Sequence, residues 1–320
     1  MSLPTRFTDL VGCQVPIQLA AMSGIVSPEL AIAVSEAGGL GMLAVGRRSY
    51  DQMAPQIDAV LARTDRPFGA GFIVEFLDRD TLAAIAGRLT ILEFFWGDPD
   101  PSLVSNECAG RIVGWQVGSV DEARAASAAG CRYVVAQGIE AGGHVRGTTE
   151  LAELLPAVRA AVEDEVAVVA AGGIATSADL DAAFDAGADA VRVGSRFVVA
   201  TESAAHERYV DRLIEAGDDE TELTTAFDVG WPDAPHRVLR SALTAARGAP
   251  DVVGTRPGPN GGLEPIVKWH TSAPTTASDG DIDAMALYAG AHLSPITRRL
   301  TAAEVIAELL APRRPSSASH

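Results

Sequence analysis

Eight short apolar runs recur over roughly the first 215 residues of this 320-residue chain, each followed by a stretch of helical character. "RYVVAQG", for example, precedes "TTELAELLPAVRAAVED", and no hairpin signal joins any two runs. Parallel strands need crossover connections, and eight strand–helix units are the number that closes a (β/α)8 barrel. We therefore predict an α/β protein in which residues 1–216 form a TIM barrel. An open doubly wound sheet is the alternative, but "AAMSGIVS" lacks the Gly-x-Gly-x-x-Gly turn usual after its first strand.

The amino-acid composition of the sequence changes after residue 216. Segments such as "FDVGWPDAPHRVL" and "GTRPGPNGG" are rich in glycine and proline, which predicts a smaller, loop-rich cap or substrate domain over residues 217–282. The stretches "DAMALYAGAHLSPI" and "TAAEVIAELLA" predict C-terminal helices that return to the barrel over 283–311. The tail, 312–320, is predicted to be disordered.

The charge of the chain narrows the choice of partners. Its formal net charge is −17, from 42 acidic and 25 basic residues. Nucleic acids and anionic membranes are polyanions, so neither is expected as a partner. A small-molecule substrate is expected, and a phosphate group on any ligand must be held by a local device such as backbone amides. A homodimer is left open.

The cysteines and the chain start indicate a cytoplasmic protein. Cys13, Cys108 and Cys131 are odd in number and lack a C-x-x-C spacing, which favours reduced thiols over a disulfide framework or a zinc site. We therefore expect no metal. The start "MSLPTRFTDLVG" lacks the features of a signal peptide, and no apolar run reaches the roughly 18 residues needed to span a membrane.

Two glycine-containing turns follow the seventh and eighth predicted strands. Gly172 and Gly173 close "VAVVAAGG", and Gly194 with Ser195 closes "DAVRVGS". Both could be ordinary tight turns. In a TIM barrel, however, the loops after these two strands often bind phosphate, and glycine lets an anion approach backbone N–H groups. We therefore predict a phosphate site at these four residues.

The stretch "VVAQGIEAGGHVRG" ends the sixth predicted strand and contains His144. Taken alone, His144 is a surface histidine in a glycine-rich loop. Its place one strand before the phosphate loops favours a role in proton transfer or hydrogen bonding to developing negative charge. Gly142 and Gly143 are expected to clear room for a flat ring. Glu140 could orient the imidazole, cap the next helix or face water.

Several motifs together resemble the nitronate monooxygenase (2-nitropropane dioxygenase-like) family of FMN-dependent barrels. They are "PIQLAAM", "VVAQGIEAGGH", "VVAAGGIAT" and "GADAVRVGSRFVVATESAAH", and the resemblance covers residues 12–215 and 287–296. It implies an FMN-dependent oxidoreductase that oxidises alkyl nitronates or nitroalkanes with molecular oxygen.

The resemblance also implies roles for individual residues. His144 matches the catalytic histidine near flavin N5, and Tyr288 lies in a segment near the cofactor. Two positions depart from the family pattern, since Gly71 stands where an asparagine is frequent and Gln116 where one subgroup has a basic residue. Gln116 would offer flavin a hydrogen bond but no positive charge. The expected cofactor-binding residues are Ala21, Met22, Gly71, Gln116, Gln137, Gly143, Gly172, Gly173, Gly194 and Ser195.

Related activities remain alternatives. An NAD(P)H-dependent FMN reductase, either quinone reductase or enoyl-acyl-carrier-protein reductase, could use the same site. The net charge disfavours an acidic carrier protein unless Arg237, Arg240 and Arg247 form a basic patch. A flavin- or phosphate-binding regulator is the non-enzyme alternative. Trp231 and His236 either line a substrate pocket or pack beneath a proline turn.

Overall fold

Eight parallel strands close into a barrel in the computed structural model, which describes residues 3–258 and 261–312. Neighbouring strands follow the order β1-β8-β7-β6-β5-β4-β3-β2, and Leu40 joins β2 to β1 through backbone hydrogen bonds with Ile17 and Leu19. This confirms the predicted TIM barrel. The strands are β1 (Ile17–Leu19), β2 (Gly41–Ala44), β3 (Phe68–Ile73), β4 (Ile91–Phe95), β5 (Ile112–Val117), β6 (Tyr133–Gln137), β7 (Ala167–Ala171) and β8 (Ala190–Val193).

The helices begin at residues suited to helix starts. Ser27, for example, accepts a hydrogen bond from the N–H of Leu30, and Pro28 occupies the first helical position. A π-helical turn, Leu103–Glu107, replaces the helix predicted after β4. The α-helices are α1 (Arg6–Val11), α2 (Pro28–Glu36), α3 (Tyr50–Leu61), α4 (Arg79–Ala86), α5 (Val120–Ala128), α6 (Leu151–Ala161), α7 (Ser177–Asp185), α8 (Ser195–Val198), α9 (Glu207–Glu215), α10 (Arg240–Gly248) and α11 (Ala302–Leu309).

The eighth strand–helix unit differs from the one expected. The helical character after the eighth apolar run extends over "RFVVATESAAHERYVDRLIEAG", but α8 ends at Val198 and α9 begins only at Glu207. The apolar side of α9 packs into a second core, away from the barrel. The last helix, α11, packs against α2, α7 and α8 instead, and its Val305 and Ile306 join the barrel core. This C-terminal helix therefore completes the outer ring. The helix predicted in "DAMALYAGAHLSPI" is wrong, because that stretch has irregular backbone after the 3₁₀ turn Ile282–Ala284.

A second core lies over the carboxyl ends of the barrel strands. It joins side chains of α9 and α10 to Phe227, Val253 and residues 284–287. Two small antiparallel sheets flank it: β9 (Thr221–Thr224) with β10 (His236–Leu239) and the short strand Gly143–His144, and β11 (Val252–Pro257) with β12 (Leu263–Val267) and Asp279–Gly280. Single 3₁₀ turns occur at Val74–Phe76, Asp218–Glu220 and Ile282–Ala284. The domain boundaries at 216, 282 and 311 stay predictions, and most of the predicted tail, 313–320, lies outside the described residues.

The amino-terminal end of the barrel is closed by aromatic packing. Phe7 of α1 meets the ring of Tyr133 edge-on, with 5.5 Å between ring centroids. The Tyr133 hydroxyl donates to Glu93 at 3.1 Å, and its ring lies over the backbone of Gly114. A Cβ added at Gly114 would lie 2.0 Å from the ring, so only glycine fits here.

Gly114→Ala should therefore lower the free energy of unfolding by roughly 1–3 kcal/mol, because the ring of Tyr133 must move out of a packed interior. Urea unfolding measures the change. Gly248→Ala is the matched control, since an added Cβ there meets nothing within 4 Å. Equal stabilities of the two variants would contradict the tight contact between Gly114 and Tyr133.

Candidate active site

A cavity of about 970 Å³ opens at the carboxyl ends of the barrel strands, beneath the second core. TIM barrels bind ligands at this face. Every site residue expected from the sequence lines this cavity, so the fold brings together loops that are up to 174 positions apart: Ala21, Met22, Gly71, Gln116, Gln137, Gly143, His144, Gly172, Gly173, Gly194 and Ser195.

The loops after β7 and β8 present backbone donors to this cavity. Gly172 and Gly173 have φ angles of +120° and +68°, a region that side chains disfavour. Within the described residues, the N–H groups of Gly173, Ile174, Gly194 and Ser195 donate no hydrogen bond. The Ser195 hydroxyl accepts a bond from the N–H of Gly290 at 3.0 Å, which leaves its own proton available. These groups suit an anion.

His292 lies beside the same loops and was missed by the sequence analysis. Its Nδ1 is 3.2 Å from the carbonyl oxygen of Gly173 and 3.1 Å from the carboxylate of Asp179, and its ring lines the cavity. The signal was its place in "LYAGAHLSPI", which follows the cap and returns to the barrel. His292 thus ties the C-terminal segment to the loop that carries the predicted phosphate site.

The backbone around His144 is held from two sides. The short strand Gly143–His144 pairs antiparallel with β10, placing His144 opposite His236. The side-chain amide of Gln137 donates to the His144 carbonyl at 2.9 Å. Above the backbone, the imidazole stacks on Trp231, with ring centroids 4.0 Å apart and planes at 26°. Rotation of the imidazole is therefore restricted by packing.

The imidazole of His144 is neutral at physiological pH. Burial, with a smaller contribution from His236, lowers the pKa of His144 to about 3. His144 Nε2 and Gln137 Oε1 are buried atoms with no hydrogen-bond partner in the described structure. Leaving a buried polar atom unpaired costs about 1–3 kcal/mol, so these two atoms mark a place where a ligand supplies the partner.

His236 and Trp231 have different surroundings. His236 is fully buried: its Nε2 accepts from the N–H of Phe227 at 3.2 Å, so its Nδ1 carries the proton that goes to the Ala234 carbonyl. It is thus a structural residue behind His144. Trp231 lines the cavity and donates from Nε1 to Glu75 at 2.7 Å. Of the two roles weighed for Trp231, pocket lining is confirmed.

Three other residues named from the sequence take structural roles. The Glu140 carboxylate accepts from the N–H of Leu151, so it caps α6. Tyr288 donates its hydroxyl to the Thr271 carbonyl at 2.7 Å. Gly142 lines the cavity, and a Cβ there would lie 2.5 Å from the backbone nitrogen of Gly290; its clearance of room for a ring stays a prediction. Gly142 permits close backbone packing, whereas a Cβ at Gly143 would meet nothing within 4 Å.

The cavity floor carries a charge that the sequence analysis did not anticipate. Arg192 on β8 donates to Gln116 and forms an ion pair with Glu93 inside the barrel. Gln18 accepts from the same guanidinium at 3.0 Å and donates to Glu93 at 2.9 Å. A positive group therefore does adjoin Gln116, although the Glu93 carboxylate balances it. Gln116 itself is neutral, and the charge at this place comes from Arg192, which was not among the expected residues.

Other kinds of site find no support in the described part of the chain. No group of His, Cys, Asp and Glu residues there could hold a metal ion. The three cysteines are buried free thiols, and burial raises the pKa of Cys13 and Cys131 to about 12 and that of Cys108 to about 11. None of the three lines the cavity. No helix among residues 3–258 and 261–312 is long and apolar enough to cross a membrane.

The fold and cavity define a TIM barrel whose mouth carries free backbone N–H groups and a desolvated histidine. The nitronate monooxygenase family model matches residues 4–89 and 79–312, so the chain belongs to the nitronate monooxygenase family and is an oxidoreductase. This confirms the resemblance found in the sequence.

Individual relatives agree with this family assignment. The chain is 32% identical to a nitronate monooxygenase of Pseudomonas aeruginosa, covering 95% of this chain and 98% of that one. It is 33% identical to the (3aS,4S,5R,7aS)-5-hydroxy-7a-methyl-1-oxo-octahydro-1H-indene-4-carboxyl-CoA dehydrogenase of Mycobacterium tuberculosis, over 76% and 68%. The solved structure of a nitroalkane oxidase from Streptomyces ansochromogenes superposes with a TM-score of 0.74 at 30% identity, covering 95% and 96%.

The lowered pKa of His144 predicts a pH effect on stability. Its folded-state value of about 3 lies below the unfolded value near 6.5, so the unfolded chain binds more protons between them. The free energy of unfolding is therefore unaffected by His144 titration above pH 6.5, and it decreases as the pH falls toward 3. From pH 7.5 to 5.5, wild type should lose up to about 1.4 kcal/mol more free energy of unfolding than His144→Gln. Urea unfolding at both pH values tests this, and equal losses would show that His144 is not desolvated.

Proposed function

We propose that the protein is an FMN-dependent monooxygenase that oxidises alkyl nitronates, or the parent nitroalkanes, with molecular oxygen in the cytoplasm. The observation that carries the proposal is one cavity in which amide-rich loops and the unpartnered Nε2 of His144 face the same space. Membership of the nitronate monooxygenase family and the likeness to a nitroalkane oxidase support it.

The chemistry of the loop residues fits the phosphate of FMN. The free N–H groups of Gly173, Ile174, Gly194 and Ser195 and the Ser195 hydroxyl would donate to it. Since the chain carries a net charge of −17, an anion needs such local donors rather than the overall field.

The remaining residues fit the flavin ring. Gly71 and Ala21 both line the cavity, and they pack closely, since a Cβ on Gly71 would lie 2.6 Å from the Cβ of Ala21. The free Oε1 of Gln137 would accept from a ring N–H, and Arg192 with Gln116 would donate from the floor. When bound, FMN supplies the redox chemistry that links substrate and oxygen, and the protein positions both.

His144 is proposed to hold the anionic oxygen of the nitronate. The neutral imidazole carries one ring N–H, and this N–H can donate a hydrogen bond to that oxygen. The buried surroundings strengthen this hydrogen bond. With a neutral nitroalkane, the same ring would take the carbon-bound proton, a demanding task for a base whose pKa is lowered to about 3. Nitronates should therefore be the better substrates.

His144→Ala should slow anaerobic flavin reduction by propyl nitronate by about 10²–10⁴-fold, the usual contribution of a positioned acid–base or hydrogen-bonding group. Stopped-flow absorbance of the flavin measures this rate. His206→Ala is the matched control, because His206 caps α9 outside the cavity. A loss of only about twofold in His144→Ala would exclude the assigned role.

Gly173→Val should abolish retention of FMN, because valine is strained at a φ of +68° and would displace the N–H donors. Gly248→Val, where an added Cβ meets nothing within 4 Å, should keep its flavin. Ser195→Ala keeps the backbone and should weaken FMN binding by about tenfold, through the loss of one charge-assisted hydrogen bond. Flavin absorbance after gel filtration reads out all three, and a fully flavinated Gly173→Val protein would mean that the site is misplaced.

A dehydrogenase or reductase that acts on a nucleotide-linked molecule is the second candidate. The Mycobacterium tuberculosis relative, a carboxyl-CoA dehydrogenase, favours it. Docking of a carrier protein is not favoured, because Arg237 points inward and donates to the Ile139 carbonyl at 2.8 Å. Anaerobic titration with NADH, run beside propyl nitronate, separates the two candidates by which compound bleaches the flavin.

A further inference from the structure

The cavity extends beyond the proposed flavin site into an arm lined by arginines. Arg47 and Arg48 follow β2, Arg256 lies on β11, and His270 follows β12; together these four residues are called the arginine arm. This clustering stands out in a chain with a net charge of −17. None of the four is used by the reaction proposed above.

A continuous set of contacts joins the two sides of the arginine arm. Arg47 donates to the carbonyl of Gly230, and its guanidinium lies over the ring of Phe76, 3.3 Å from the centroid. A Cβ on Gly230 would lie 3.9 Å from Nε2 of His270. Across the arm, Arg256 donates to the hydroxyl of Ser272. The guanidinium groups of Arg47 and Arg256 therefore lie near His270 in one stretch of the cavity. Arg48, in contrast, lines the cavity and donates to the Ala44 carbonyl at 2.9 Å.

The His270 ring contributes a donor to this stretch. Its Nδ1 accepts from the N–H of Ser272 at 3.0 Å, so its Nε2 carries the proton. Burial lowers the pKa of His270, and the positive charges of Arg256 and Arg47 lower it further. His270 thus remains a neutral N–H donor between two cations.

The arginine arm holds more positive than negative charge. Two acidic residues line the cavity: Glu93 is paired with Arg192 on the floor, and Glu264 accepts from Arg256 at 2.5 Å. Within the described residues, neither Arg47 nor Arg48 has a carboxylate within 4.0 Å. Three guanidinium groups against one carboxylate leave an excess of two positive charges. Burial of Arg48 without a carboxylate lowers the pKa of its side chain.

We infer that the arginine arm is a second anion-binding subsite, which takes the phosphate or pyrophosphate of a nucleotide-bearing substrate or co-substrate. An excess of two positive charges matches a phosphate dianion or a pyrophosphate better than a single carboxylate, and guanidinium groups bind phosphate through paired hydrogen bonds. Two sources share this chemistry, a nicotinamide dinucleotide and a CoA thioester. The inference rests on the second candidate function, an oxidoreductase that acts on a nucleotide-linked molecule, since the reactive end of such a molecule must reach the flavin.

The position of Trp231 supports this path from the arm to the reaction centre. The carbonyl of Gly230 holds Arg47, while the next residue, Trp231, stacks on His144. Two consecutive residues, Gly230 and Trp231, therefore contact the arginine arm and the His144 imidazole, respectively. A molecule anchored by phosphate at Arg47 extends along the Trp231 ring toward His144.

Isothermal titration calorimetry tests the subsite, with excess FMN present so that the flavin phosphate site is filled. Inorganic pyrophosphate is the probe for the shared chemistry, ADP-ribose represents the dinucleotide, and adenosine 3′,5′-bisphosphate represents the adenine end of CoA. Arg47→Gln and Arg256→Gln should each weaken pyrophosphate binding by at least about tenfold, the effect of losing one charged hydrogen bond. Arg124→Gln, an exposed residue on α5 paired with Asp121, is the control and should bind like wild type.

Each outcome decides a separate point. Tighter binding of ADP-ribose or of the bisphosphate identifies the source, and equal binding supports the shared phosphate chemistry. Pyrophosphate affinity that is absent in wild type, or unchanged in both arginine variants, overturns the subsite. The absorbance of bound flavin reports the proposed function independently. A yellow protein that does not bind pyrophosphate would contradict only the subsite. A colourless protein whose pyrophosphate binding is weakened by Arg47→Gln would contradict only the proposed function.

Discussion

The ion pair between Arg192 and Glu93 spans the inside of the barrel and fixes the floor on which the site stands. Its partners lie on β8 and β4, which are opposite each other in the ring of eight strands. Gln18, Gln116 and Tyr133 add hydrogen bonds from three further strands, so five strands share one polar network. Removing one member of a buried pair costs about 3–5 kcal/mol because the other charge is left unpaired. The strand ends above this network therefore keep fixed positions relative to one another.

Much of the fold, and the positions of several residues of the candidate site, could be predicted from local sequence signals. The eight strands are short runs that are buried on both faces, as parallel strands require, and turn residues separate them from helices. The carboxyl ends of such strands meet at one face of a barrel, so a glycine turn or a histidine at a strand end falls near the others. His144, Gly173 and Ser195 were found in this way. No knowledge of distant packing was needed for them.

Other features depend on packing that a single strand or turn does not encode. Arg192 sits in "AVRV", and nothing in that stretch says whether its side chain faces the barrel axis or the outer helices. A glycine signals ligand clearance, close backbone contact or both, and the structure shows the second for Gly142. The sequence pattern predicted the helix α9, but it did not show that α9 packs into the second core. Only the whole fold shows that α11 takes the place expected for the eighth helix.

The segment 288–292 joins loops that are distant in sequence, and this sets the order in which the site can form. Its backbone donates to Glu140 after β6 and to Ser195 after β8, and His292 reaches Gly173 after β7. Synthesis proceeds from the amino terminus, so all eight strands leave the ribosome before this segment exists. A nascent chain can thus form the barrel before the loops at its mouth are joined by these hydrogen bonds. A ligand that contacts all three loops is therefore expected to bind only after residues 288–292 have left the ribosome, which makes ligand binding a late step of biogenesis.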